Sequence, residues 1–545
     1  MNTHFRLLDW LVLATYFMGT MAVGFYFWRK SRTADAFTAA ERSLPGWVCG
    51  LSIFATYLSS ISFLALPGAA FANNWNPFVF SLSLPFATII AVCFFVPHYR
   101  RSGEVSAYSH LESRFGPWAR FYAGTCYLLT QIARMGVVMY LMTVPVSMLI
   151  GWDIRVVIVI TGVCVTVYSF VGGVVAVIWN DALQAIVLIV GALVCLAIMM
   201  FGMPEGVGQI VDIATVHKKF SLGSFDLSFT EQTFWLVLIY GITINLQNFG
   251  IDQGYVQRYI ASKSDAEARK SVWLGGLLYI PVSALFFLIG TTLFAWYQVN
   301  PAELAEVRLQ VAADVLLQEG VDPNRVDYNQ MLHARAETIS LQQVGNVIFS
   351  HFIGSQLPMG VTGLVIAAIL SAGMSTVSTS LNSSATLILS DWYKRLFIPD
   401  ATNRQQMIVL YLATLLLGIV GTVIALILVR FSEGALDMWW TLSGIFAGGM
   451  AGLFMLGLMS RRATSTIGMA ATALGVIVIA WMTLSPMWPA DSATWLPRNP
   501  LHKYAIVVIG TATILVTGFI MTLAFASADT SRRVHADPQT ERMMR

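Results

Sequence analysis

Charge is scarce in this 545-residue chain: Asp, Glu, Lys and Arg together make up 11%, where a soluble domain carries roughly 25%. Long polar stretches are missing too, so no segment could fold as a second, soluble domain. Hydrophobic residues reach 57% and mean hydropathy is +0.69, which makes this an integral membrane protein. The five cysteines (Cys49, Cys93, Cys126, Cys164, Cys195) lie in apolar segments without Cys-x-x-Cys spacing. They read as buried thiols, neither disulfides nor metal ligands. The eight histidines sit in linkers, tails or near span ends, with no metal-ligand spacing and no Ser-His or Cys-His pairing at span centres. That pattern argues against an enzyme and calls for no organic cofactor. A net charge of +3 is too small to argue for a nucleic-acid partner.

What the chain has is apolar runs of bilayer length. Thirteen are expected, over 8–28, 44–72, 76–98, 117–150, 155–178, 180–203, 231–257, 271–298, 342–393, 405–430, 434–459, 464–485 and 501–527. The ninth is too long for one crossing and should hold a short helix before a span at 359–393. The first, Leu8–Trp28, lacks a small-residue cleavage site and reads as a retained helix. Basic residues concentrate in alternate linkers: Arg29, Lys30, Arg32, Arg42; Arg100, Arg101, Arg114; Arg258, Lys263, Arg269, Lys270; Lys394, Arg395, Arg404; Arg461, Arg462; and the tail Arg532, Arg533, Arg542, Arg545; the exceptions Lys218, Lys219, Arg308, Arg325 and Arg335 lie in two long outer linkers, 204–230 and 299–341, where the rule is weak. By the positive-inside rule the N-terminus is outside and the C-terminus cytoplasmic.

Residues 371–386 read SAGMSTVSTSLNSSAT, with nine Ser or Thr in sixteen positions. On a helix, Ser375, Ser378 and Thr379 stack on one face. Hydroxyl and carbonyl oxygens with little formal charge nearby suit a small hard cation such as Na⁺; close helix packing by small residues is the alternative. The second span has a polar centre (Thr56, Tyr57, Ser59, Ser60, Ser62) followed by Pro67-Gly68. The seventh has another (Asn245, Gln247, Asn248, Gly250, Asp252, Gln253). Five spans separate the two, as expected for inverted repeats that each open on an interrupted helix.

Arg134 lies near the middle of the fourth span with no acidic residue in that span to pair with. A central Arg costs at least ~2.5–3.5 kcal/mol, so it needs a partner from another helix, Gln131, or an anionic solute held by its bidentate fork. Asp181 falls where the fifth span meets the sixth. It reads as an N-cap or as a cation ligand reaching Ser378 and Thr379.

The pieces SIFATYLSSISFLALPG (52–68), YSFVGGVVAVIWNDALQA (168–185), NFGIDQGYVQRYIASKS (248–264) and VTGLVIAAILSAGMSTVSTSLNSSATLILSDWY (361–393) together resemble the sodium:solute symporter family. The resemblance implies an all-α membrane protein of about thirteen helices: a LeuT-like five-plus-five inverted repeat, one helix before it and two after. It divides the chain into 1–43 (first helix and linker), 44–459 (transport core), 460–527 (two helices) and 528–545 (tail). It also implies a main Na⁺ site of the Ala55, Leu58 and Ala372 carbonyls with the Ser375 and Thr376 hydroxyls. A second Na⁺ site, as in bacterial sialic acid symporters, would use Asp181, Ser375, Ser378 and Thr379. Arg134 matches their carboxylate clamp, Ser59 and Ser62 match other solute-lining positions, and Asn245 matches a sugar-contacting Asn of galactose symporters. Tyr57 and Ser81 depart from the sialic acid symporters at two pocket positions. With Gln131 and Asn248 added, these form the expected solute site.

The expected function is Na⁺-driven import of a small organic solute by alternating access, the protein working as a monomer in the inner (plasma) membrane. A carboxylated sugar such as sialic acid is the first solute, a smaller carboxylate or amino acid the second, a neutral sugar the third. A solute-sensing receptor on the same fold is the alternative class.

Overall fold

The computed structural model describes residues 5–430, 435–488 and 497–536; residues 537–545 of the expected tail lie outside the described residues, as do the side chains of Arg532 and Arg533. Among the described residues the fold is helical throughout, with one isolated bridge, between Leu44 and Ser262. The principal helices are α1 (Leu7–Phe27), α2 (Gly46–Tyr57), α3 (Ser60–Ala72), α4 (Asn76–Ser102), α5 (Pro117–Ile150) and α6 (Ile154–Gly202). Next come α7 (Phe234–Ile251), α8 (Gln253–Ala261), α9 (Asp265–Val299), α10 (Val361–Leu387), α11 (Asn403–Leu428), α12 (Ala435–Met459), α13 (Ser465–Leu484) and α14 (Lys503–Ala536).

Among the described residues ten helices are long and apolar enough to cross a membrane, or eleven when the bent pair α2–α3 counts as one span. Two of the thirteen expected crossings share α6. Its 49 residues at about 1.5 Å each exceed twice the ~30 Å hydrocarbon core, so it must divide at its non-helical residue, Gly173 (φ 55°, ψ −157°). A side chain there would meet the Phe37 ring and backbone at 2.7–3.0 Å. The division therefore falls several residues before the expected 178–180 junction. It corrects the N-cap reading of Asp181, which sits eight residues into the second half with its backbone already inside the helix.

Both expected interruptions exist. The first is at Leu58 (φ −92°, ψ 93°), where α2 and α3 bend by 54°, not at Pro67-Gly68. Pro67 lies inside α3, and Gly68 gives the Gly345 carbonyl room to approach. The second is at Asp252 (φ −76°, ψ 118°) between α7 and α8; its carboxylate caps α8 by accepting from Gly254 N at 2.7 Å. The Leu44–Ser262 bridge ties the start of α2 to the end of α8 through Leu44 N to Ala261 O (3.0 Å) and Lys263 N to Leu44 O (2.9 Å).

α10 is the central helix: 83% of its most apolar window is buried, against 22% for α1. Its hydroxyls therefore face protein, not lipid. The short helices Leu341–Gly345 and Ile348–Gln356 precede it, as expected for the ninth run. The long linkers are folded as well, with Val207–Val216, Pro301–Gln318 and Tyr328–Thr338 helical. In the first of them Lys219 caps the end of α3, donating to the Phe71 and Asn73 carbonyls at 2.6 and 2.9 Å with its ammonium 3.8 Å over the Phe294 ring. All five cysteines are free, but Cys93 is exposed and Cys164 half-buried. The uniform expectation of burial fails because an apolar span also has a lipid-facing side.

Candidate ion and solute site

The break at Leu58 ends a helix in the protein interior. Carbonyls in the last turn of α2 lose their i+4 donors there, which frees the Ala55 and Leu58 oxygens. Both residues are buried, as are Ala372, Ser375 and Thr376 on α10. The two segments face each other: Thr56 Oγ1 lies 3.5 Å from Thr379 Oγ1. Thr376 donates its proton back to the Ala372 carbonyl at 3.1 Å, and Ser375 donates to Asp181 Oδ1 at 2.8 Å. Both hydroxyl oxygens keep lone pairs for a cation. An uncharged, oxygen-only set of this kind fits a hard monovalent ion.

The second expected set also converges. Asp181, fully buried, accepts from Ser375 at 2.8 Å and Ser378 at 3.5 Å on Oδ1. Ser52 and Arg258 were not foreseen as partners. Oδ2 accepts from Ser52 at 2.5 Å and from Arg258 Nη2 at 2.8 Å, and the same Nη2 donates to Thr379 Oγ1 at 2.6 Å. Arg258 is only 1% exposed. Counting it among the cytoplasmic linker charges is therefore wrong: it lies inside α8, with its charge consumed by Asp181. Its position in a short polar half-helix just after a break was the one signal in the sequence.

Arg134 sits halfway along α5 and reaches the same break. It is half-buried, and Nη2 donates to the Thr56 carbonyl at 3.3 Å. Among the described residues it makes no ion pair. No hydrogen bond among the described residues joins it to Gln131, whose carbonyl oxygen accepts from Ser380 at 2.6 Å. Most of the guanidinium fork is thus free beside the α2–α3 interruption.

The remaining solute candidates divide. Ser59 caps α3 without a side-chain bond, and Ser62 lies half-buried a turn further on. Tyr57 is packed by the rings of Phe249, Tyr255 and Tyr279 at 4.9–5.6 Å, and among the described residues its buried hydroxyl makes no hydrogen bond of ordinary geometry. Asn248 is half-buried on α7. Ser81 and Asn245 are committed elsewhere: Ser81 donates to Ser283 at 2.8 Å and Asn245 to Ser83 at 2.9 Å, although the Asn245 carbonyl oxygen remains unpartnered.

The sodium:solute symporter family model matches residues 37–475. The chain belongs to that family. A sodium/sialic acid symporter of Aliivibrio fischeri is 30% identical over 519 residues, covering 95% of this chain and 93% of that protein. One of Proteus mirabilis is 30% identical, with 96% of each chain covered. The solved substrate-bound, outward-open state of a Na⁺-coupled sialic acid symporter, described as revealing a novel Na⁺ site, aligns with a TM-score of 0.80 at 28% identity, over 95% of this chain and 98% of that one. The fold is thus the LeuT-like five-plus-five arrangement, with α2–α3 and α7–α8 as its two interrupted helices.

Proposed function

We propose that this membrane protein is a Na⁺-coupled symporter that imports a small organic acid by alternating access, a carboxylated sugar such as sialic acid first. The observation that carries this reading is the unpaired Arg134 guanidinium at the break that also frees the Ala55 and Leu58 carbonyls. An anion clamp and a cation cradle then share one segment of backbone. Filling either favours the other by charge and by fixing the α2–α3 ends. Na⁺ at Ala55, Leu58, Ala372, Ser375 and Thr376 would hold α2 against α10 in the outward-open state, and its release would loosen the inner side; this coupling requires tighter Na⁺ binding in one conformation than in the other. Asp181, Ser375, Ser378 and Thr379 form a second cation position. Arg134, Gln131, Tyr57, Ser59, Ser62, Ser81, Asn245 and Asn248 are assigned to the solute. The core is 44–459, the N-terminus outside and the C-terminus cytoplasmic, in the plasma (inner) membrane, with a monomer as the working unit.

A second reading has support in Tyr57. Its ring stands beside the α2–α3 break, held by three aromatic neighbours where a small residue would leave room, and Ser81 is tied to Ser283. Both features favour a carboxylate smaller than sialic acid. Uptake of labelled acids into proteoliposomes tests both: an inward Na⁺ gradient should drive accumulation, and competition by a panel of acids and neutral sugars should rank the solute. Uptake indifferent to the Na⁺ gradient would refute the symporter reading.

A further inference from the structure

Beyond the end of α1 the linker to α2 folds back against the second half of α6, leaving a cleft of about 740 Å³ between them. Arg29, Lys30 and Arg32 line it, and Glu41 is the only acid among the described lining residues. Among the described residues none of the three cations forms an ion pair. Glu41 accepts from Thr33 Oγ1 at 3.4 Å, and Asp35 is paired with Arg42. Three positive charges therefore face one negative. The wall behind them is aromatic: Phe27 stacks on Trp179 at 5.9 Å, and the Lys30 ammonium lies 5.8 and 5.7 Å from the Tyr26 and Phe27 rings. Phe25, Tyr26 and Trp28 are at least half exposed, on a helix whose most apolar window is only 22% buried. Aromatics that end an apolar span mark the water–bilayer interface, which puts the cleft at headgroup depth.

We propose that this cleft binds an anionic phospholipid, its headgroup phosphate held by Arg29, Lys30 and Arg32 and its acyl chains lying along the lipid-facing side of α1. Basic pockets between spans take such headgroups because one phosphodiester meets several cations while the chains stay in hydrocarbon. A zwitterionic headgroup brings its own cation and gains little from the surplus charge. A free phosphate carries the same chemistry, but the aromatic wall offers a hydrated ion nothing. Under the orientation proposed above the leaflet is the cytoplasmic one; the site does not depend on which solute or ion is carried. One side of the cleft is a strained turn. Ala40, Glu41 and Arg42 are consecutive non-glycine residues with φ of 52°, 49° and 53°, a left-handed run that side chains adopt only under constraint from their surroundings. Ser43 Oγ, donating to the Ala40 carbonyl at 2.8 Å, and the Leu44 bridge hold it in place, and α2 begins at Gly46. A headgroup in the cleft would therefore steady the entry to the helix that carries Ala55.

Native mass spectrometry of the purified full-length protein in detergent, titrated with phosphatidylglycerol or phosphatidylcholine, tests this. Each basic side chain at an anionic headgroup is worth about fivefold in affinity. The first phosphatidylglycerol should bind the wild type at least about tenfold tighter than the first phosphatidylcholine. Arg29→Gln/Arg32→Gln should weaken phosphatidylglycerol about 25-fold and leave phosphatidylcholine unchanged. Arg269→Gln/Lys270→Gln, which removes two exposed charges at the start of α9, should stay within about twofold of the wild type. Inorganic phosphate, with ionic strength matched by chloride, should not displace the lipid. Equal affinity for the two lipids would overturn the proposal, as would a cleft variant that binds phosphatidylglycerol as tightly as the wild type. So would an equal loss in the Arg269/Lys270 variant, which would mean diffuse attraction, or displacement by phosphate, which would mean a free-anion site. If the cleft variant does not fold, Lys30→Gln decides: about fivefold weaker phosphatidylglycerol binding supports the site, and unchanged binding refutes it.

Discussion

Arg134 has the sharpest consequence of any single residue. Its fork makes one bond to protein, at the Thr56 carbonyl, and a charged hydrogen bond is worth about 1.5–3 kcal/mol. Arg134→Ala should raise the KM for a carboxylate about 10–100-fold in proteoliposome uptake while leaving Na⁺ binding in place. Arg134→Lys should recover only part of this, because ammonium is a point charge without the bidentate geometry. Acid uptake unchanged in Arg134→Ala would remove the carboxylate assignment. This residue was legible because an Arg at the centre of an apolar span cannot be overlooked. Arg258 was not, although it is more deeply buried. It lies close enough to a span end to pass for a linker charge, and only its pairing with Asp181 shows where that charge is spent. Ser52 was missed for a related reason: a single Ser in an apolar turn carries no signal until its partner is known.

At the level of elements, apolar run length located helices well. The fourth run, 117–150, coincides with Pro117–Ile150. Hydropathy does not report where the backbone leaves the helix, however: the α2–α3 break fell within the expected polar centre, at Leu58, because polar residues mark it, whereas the division of α6, which no polar residue marks, fell several residues before the expected junction. Gly173 needs glycine on two counts, since φ is +55° and Phe37 lies against it. Gly173→Ala should destabilise by at least about 1 kcal/mol from backbone strain, with overlap on Phe37 adding roughly 1–3 kcal/mol, read as a lowered thermal midpoint in detergent. Lys219 caps α3 from a linker, and burial pulls its pKa down from 10.5 to about 8. Between those values the unfolded chain binds the proton that the folded chain has lost, so stability rises as pH climbs from about 8 to about 10.5 and is flat in this respect below 8. Lys219→Met should abolish that rise, and a thermal-stability series against pH would show it.

Across the whole molecule, the fold class, the two interrupted helices and the face-to-face placement of the Ala55 and Ser375 segments were all legible, because the polar residues at each break are exceptions within otherwise apolar spans. The balance of charges was not, since it depends on which buried groups meet.

Coupling at the α2–α10 junction is tested most directly by the Na⁺ concentration that half-saturates acid uptake, compared between the wild type, Ser375→Ala and Thr376→Ala. Loss of one hydroxyl ligand from a buried, uncharged cation site should raise that concentration about tenfold or more, with acid affinity at saturating Na⁺ retained. An unchanged Na⁺ requirement in both variants would contradict a cation held between these two helices.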